Sequence, residues 1–168
     1  MAMARSPISP AFTVSDVRVI QDTREQTPFD LQPMQVEVGT LATGDYALAD
    51  WPSAICVERK SLQDLVGVVG RHRERFEKEL QRMMGFRSRL IVVEASLEEI
   101  LARQWVGKIT PEQVVNSLLS WQAQGVPFQL WGSPGMAARM VRQMLFLAAR
   151  KLYGQSRAMC LHKIKGQN

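Results

Sequence analysis

The chain has 168 residues, of which 46% are hydrophobic and 22% charged, and its formal net charge is +5. This length suits one domain with a full core, the hydrophobic share excludes general disorder, and no apolar run is long enough to cross a bilayer. A basic balance favours polyanionic partners, and nucleic acid is the commonest of these.

Residues 1–16 carry Ser6, Pro7, Ser9 and Pro10 but no apolar core of a signal peptide, so a flexible tail is expected. Val17 to Ile20 reads as a short strand, followed by Asp22-Thr23-Arg24-Glu25 and a turn at Pro28. Met34 to Val38 and Thr40 to Leu48 read as two more strands, with Gly44-Asp45-Tyr46 inside the second. Residues 54–60 form a fourth, and the alternation along these segments predicts an antiparallel meander.

Ser61 is a helix N-cap, with Asp64 three residues on, and the helix runs to about Val69. Gly70 interrupts it. A longer helix spans about Arg71 to Met84, with Phe76, Leu80, Met83 and Met84 as its buried stripe. Leu90 to Val93 is a continuous apolar run that leads to Glu94 and suits a central strand. Ser96 caps a short helix to Arg103, and Thr110-Pro111-Glu112-Gln113 opens another that stops before Gly125. Val126 to Trp131 is the last strand. The last helix starts at Ser133-Pro134 and ends near Tyr153, with Met136, Met140, Met144, Leu147 and Ala148 on one side and Val141, Leu145 and Leu152 widening that face.

This order divides the chain into a tail (1–16), one α/β domain (17–153) with a mixed central sheet flanked by helices, and a basic C-terminal tail (154–168). Cys56 and Cys160 lie far apart, so no disulfide framework is expected, and with only His72 and His162 beside them neither is a structural zinc site. The composition suits the cytoplasm.

Charge appears abruptly at the end of the fourth strand, in Val57-Glu58-Arg59-Lys60. Side chains alternate along a strand, so Glu58 and Lys60 share a face and Arg59 points the other way. A carboxylate that holds a hard cation, beside an ammonium that orients water, suits phosphodiester hydrolysis. Taken alone, the same pair also reads as a solvated surface contact. Asp22, Glu25 and Asp45 fall at neighbouring strand ends and reach the same edge in a meander, although Asp22 and Asp45 are equally ordinary turn formers.

These residues resemble a known family. Asp22-Thr23-Arg24-Glu25, Gly44-Asp45-Tyr46, Val57-Glu58-Arg59-Lys60-Ser61-Leu62-Gln63-Asp64-Leu65 and Gly70-Arg71 stand in the order of the XPF-type (XPF/Hef) structure-specific endonucleases, over about residues 17–150. That family has the restriction-endonuclease-like nuclease fold. The resemblance implies a DNA endonuclease acting on branched or junction DNA, in repair or recombination. It implies Mg²⁺ or Mn²⁺ held by Asp45, Glu58 and the Arg59 carbonyl, with Lys60 acting on the attacking water. Asp22 and Glu25 would complete the acidic site, Asp22 also as a metal ligand. Arg59, Asp64 and Arg71 match further family positions, as site support or DNA contacts. For Asp64 a helix cap, and for Arg59 a structural ion pair, remain equally open. Arg73, beside Arg71 at the start of the long helix, is a further candidate phosphate contact.

The resemblance also implies a homodimer formed through the later helices. No tandem helix-hairpin-helix module, usual in this family, is expected within these 168 residues, and a separate DNA-binding subunit is a further expected partner. A small free-standing form suits a bacterial or phage setting. The alternative is a catalytically silent DNA-binding or dimerisation subunit of the same fold. All five of Asp22, Glu25, Asp45, Glu58 and Lys60 are present, which favours the enzyme.

Overall fold

A computed structural model describes residues 12–165, with side chains as far as residue 158. A 3-10 turn at Val14–Asp16, capped by Thr13, leads into β1 (Arg18–Asp22). There follow β2 (Gln35–Gly39), β3 (Tyr46–Leu48), β4 (Ile55–Lys60), α1 (Leu62–Val69), α2 (Arg73–Met83) and β5 (Ser88–Val93). The rest is α3 (Leu97–Leu101), α4 (Pro111–Ala123), β6 (Phe128–Leu130) and α5 (Pro134–Lys165).

The six strands form one mixed sheet in the order β2-β1-β3-β4-β5-β6. The expected antiparallel meander is not what forms. β2 runs parallel to β1 at the sheet edge, and β3 pairs antiparallel with the other side of β1. Burial explains the swap. All three residues of β3 are buried, whereas β2 exposes Val36 and Val38, so β2 tolerates an edge and β3 requires the interior. The connection over residues 23–34 is long enough for a parallel crossover. Residues 40–45, expected as strand, are irregular, because the Leu41 N–H is taken by the Asp22 carboxylate and Gly44 turns the chain with φ +79°.

Alternation along β4 and β5 sorts the core into two layers. Cys56, Ile91 and Val93 face α1, α2 and α4, where Leu65, Phe76 and Trp121 pack. Ile55, Val57, Leu90 and Val92 face α5, where Ala137, Val141 and Leu145 pack. Helices thus cover both faces of the sheet, giving the α/β fold with a mixed central sheet and flanking helices that was expected. Ser61, Ser96 and Thr110 each cap their helix by accepting a backbone N–H three residues on.

Three details differ from expectation. Met84 is half exposed at the end of α2 and does not join its buried stripe. On α5 the core row is Ala137, Val141, Leu145 and Ala149, while Met136, Met140 and Leu147 face outward. The helix also continues past Gly154 to Lys165, where a basic tail was expected; a helical glycine costs only about 1 kcal/mol relative to alanine. At the other end, Phe12 stacks on Tyr153 at 4.8 Å between ring centroids, so residues from 12 onward pack against α5. Residues 1–11 and 166–168 of the expected tails, and the side chain of Cys160, lie outside the described residues; Cys56 is buried and free. No helix among the described residues is long and apolar enough to cross a membrane.

Candidate active site

The acidic residues meet where β4 ends and β3 begins. The Asp45 N–H donates to the Val57 carbonyl at 2.8 Å, which sets Asp45 beside β4 one residue ahead of β3. Its Oδ2 accepts the Arg59 N–H at 2.7 Å. Glycine is required just before it: a Cβ on Gly44 would lie 2.5 Å from Cys56 Sγ and 3.0 Å from the Val57 carbonyl oxygen. The Asp22 N–H donates to the Asp45 carbonyl at 2.8 Å, tying the end of β1 to the same point.

Glu58 and Lys60 share a face as their spacing predicts, and the Lys60 ammonium donates to Glu58 Oε1. Glu58 is only 4% exposed. The ammonium also lies 5.3 Å from the Phe76 ring centroid, which places α2 against this face. Arg59, on the other face, makes a forked pair with Glu94 at 2.7 and 2.8 Å and reaches Glu25 Oε1 at 3.1 Å and Thr27 Oγ1 at 2.6 Å. Its guanidinium lies 5.4 Å from the Phe29 ring centroid. Phe29 is in turn stacked on Tyr46 and donates its N–H to the Tyr46 hydroxyl at 2.8 Å. Arg59 and Tyr46 therefore hold the segment carrying Glu25 against the sheet.

A pocket of about 220 Å³ gathers Glu25, Asp45, Glu58, Arg59, Lys60 and Asp64, together with Arg24, Gln26 and Thr27. Asp64 serves both readings: its N–H bonds the Ser61 hydroxyl, as a helix cap requires, and its side chain lines this pocket. A larger cavity, about 360 Å³ between Phe12, Trp51 and Tyr153, sits at the opposite end of the strands and shares none of these residues.

Three other expected residues, Asp22, Arg71 and Arg73, do not line this pocket. Asp22 is 1% exposed, and both its oxygens are occupied, by the Arg24 N–H and guanidinium and by the Leu41 N–H. Burial opposes its charge, but these donors outweigh it and hold the carboxyl below the usual range. Arg71 bonds His72, outside the pocket. Arg73 is anchored between helices by Glu77 at 2.9 Å, Ser117 at 2.9 Å and the Trp121 ring at 5.1 Å. The sequence reading gave Arg24 and Thr27 no role. Arg24 stands inside the Asp-Thr-Arg-Glu motif and Thr27 two residues after it, which was their only signal.

Burial pushes the Asp45 carboxyl up to about 6 and the Glu58 carboxyl up to about 8. The Arg59 N–H and the Lys60 charge oppose the rise at Asp45, and Lys60 opposes it at Glu58. Nearby carboxylates add to the rise: Glu25 and Glu79 at Asp45, and Asp45 and Glu79 at Glu58. Lys60 is itself buried, but Glu58 and Asp45 outweigh burial and keep it an ammonium. Among the described residues no group of three or more His, Cys, Asp or Glu side chains is arranged to hold a metal. The remaining donors are Asp45 Oδ1, Glu58 Oε2 and the Arg59 carbonyl, which accepts only a long contact, 3.4 Å, from the Lys60 ammonium. These are all hard oxygens. Two crowded carboxylates and a carbonyl fit a Mg²⁺- or Mn²⁺-type ion that keeps several waters.

Residues 16–144 match the ERCC4 domain family, which is more than half of the chain. The chain belongs to that family. Among solved structures, this ERCC4 domain is similar to XPF from Aeropyrum pernix, with a TM-score of 0.64 and 22% identity over 78% of the chain. At that identity the likeness speaks for the fold, which is that of an XPF-type nuclease domain. The chain spans 61% of the length of that structure. A comparison with curated protein sequences gave no match.

Proposed function

We propose that this ERCC4 domain is a divalent-cation-dependent DNA endonuclease that hydrolyses phosphodiester bonds in branched or junction DNA. The observation that carries the reading is the buried Glu58–Lys60 contact beside Asp45, in a pocket open to solvent. Asp45, Glu58 and the Arg59 carbonyl would hold Mg²⁺ or Mn²⁺, which would supply Lewis-acid stabilisation of charge on the phosphate. Lys60, kept protonated by its neighbours, orients the attacking water and offsets negative charge as the phosphorus is attacked. Asp22 fixes Arg24 at the pocket rim, where an exposed guanidinium can meet a DNA phosphate. Arg59 and Glu25 keep the rim segment in place, and Asp64 supports the start of α1.

A second copy of the chain is the partner that fits the outward stripe of α5, where Met136, Met140 and Leu147 recur at helical spacing and are 46%, 38% and 44% exposed. Repair and recombination intermediates are the substrate class.

The test incubates the purified chain with flap, fork, splayed-arm and plain duplex DNA, with and without Mg²⁺ or Mn²⁺. Cation-dependent cutting of the branched forms is expected. Tight binding to DNA without cutting under every condition would favour a silent binding or dimerisation subunit.

A further inference from the structure

Phe76, Glu79 and Arg82 recur every three residues along one side of α2, and two of them touch residues of the acidic site or of the turn that leads to it. Phe76 packs beneath the Lys60 ammonium, and Arg82 donates to Thr43 Oγ1 at 3.1 Å, in the turn that leads through Gly44 to Asp45. Glu79 stands between them, three residues from each, so one helical turn places it on the same side. The two flanking contacts set this side of α2 against Lys60 and against the turn that leads to Asp45, so Glu79 stands on the side of α2 that faces the site. Its neighbour Glu77 is spent on Arg73, whereas Glu79, half-buried, makes no ion pair among the described residues. Its charge is also felt at Asp45, Glu58, Lys60 and Arg24.

We infer that Glu79 is a further positioning residue of this site, an outer carboxylate that accepts hydrogen bonds from the water shell of a divalent cation held by Asp45 and Glu58. The inference rests on the proposed cation-binding reading and deepens it. The geometry suits an outer role. A cation that keeps several waters needs acceptors beyond its direct ligands, and Asp45 and Glu58 each have one oxygen already engaged by Arg59 and Lys60. A third carboxylate, brought from a helix rather than from the sheet, orients those waters and adds to the pull on the ion. It does this without displacing the ammonium of Lys60.

The experiment measures Mn²⁺ binding to the whole chain by isothermal titration calorimetry, with no DNA present. Glu79→Gln keeps the shape and removes the charge, and it is expected to weaken Mn²⁺ binding about tenfold. Glu74→Gln removes the same charge from an exposed position on the far side of α2 and should leave affinity within about twofold of the parent. Glu79→Asp, which restores the charge on a shorter side chain, should fall between the parent and Glu79→Gln. Circular dichroism melting checks that each variant is folded. Parental affinity in Glu79→Gln would overturn the inference, as would an equal loss in Glu74→Gln, which would point to net charge rather than placement. Failure of the parent itself to bind Mn²⁺ would remove the cation-site reading and this inference with it. Binding by the parent with no change in Glu79→Gln removes the inference alone.

Discussion

At the scale of single residues, the site was legible where chemistry follows from local spacing. Glu58 and Lys60 sit two apart on a strand, so their shared face follows from the pleat and needs no tertiary knowledge. Asp22 was not legible in this way. Its partners, Arg24 and Leu41, come from a turn and from a residue far along the chain, and they use every lone pair that a cation would need. Asp22→Ala should therefore cost about 1–3 kcal/mol in stability, because the Leu41 N–H and the Arg24 guanidinium lose a buried acceptor. Urea denaturation measures it. Unchanged stability together with lost Mn²⁺ affinity would return Asp22 to the ligand set. Asp45→Asn should behave in the opposite way. It keeps an oxygen for the Arg59 N–H but removes a buried charge and its repulsion with Glu25 and Glu58. The cation-free protein is expected to gain about 1 kcal/mol while DNA cleavage falls about 100-fold or more. An Asp45→Asn protein that cuts at the parental rate would place the chemistry elsewhere.

At the scale of elements, the helices were more legible than the strand order. Caps at Ser61, Ser96 and Thr110 rest on three-residue patterns that act locally, and all three formed. Strand pairing depends instead on which strand must be buried on both faces. The exposed Val36 and Val38 of β2 look apolar enough in sequence for an inner strand. The all-buried triplet of β3 takes that place because Tyr46 brings a ring to stack on Phe29 and a hydroxyl to anchor its N–H. The turn before β3 is held by Gly44, whose φ of +79° and close approach to Cys56 and Val57 leave no room for a side chain. Gly44→Ala should lose about 2–4 kcal/mol, from the left-handed backbone and the overlap together. Thermal melting followed by circular dichroism tests this. A melting temperature within a degree of the parent would mean that β3 and β4 separate more easily than their contacts imply.

At the scale of the whole molecule, net charge indicated a polyanionic partner but not where it would bind. Arg73, read as a phosphate contact from its place beside Arg71 at the start of the long helix, is committed to Glu77, Ser117 and Trp121, so its charge serves packing between α2 and α4. Arg73→Ala should lower stability and leave the salt dependence of DNA binding unchanged. Arg24→Ala should reduce the slope of log affinity against log salt by about one, the contribution of one phosphate contact. Fluorescence anisotropy with a forked DNA across a salt series separates the two, and an unchanged slope in Arg24→Ala would move the DNA path away from the pocket rim. The outward stripe of α5 sets the remaining scale, that of assembly. An apolar row on a long helix was read from the sequence as one broad face. The fold divides it, burying Val141 and Leu145 and leaving Met136, Met140 and Leu147 in solvent. Burying those three against a second copy would shield the row from water without disturbing the core behind it. The parent should therefore sediment at equilibrium as twice its 19.0 kDa chain mass at micromolar concentration. Met140→Glu with Leu147→Glu should sediment as one chain, with its melting temperature little changed, because both side chains already face outward. A parent that stays at 19.0 kDa at high micromolar concentration would show that this stripe is surface alone.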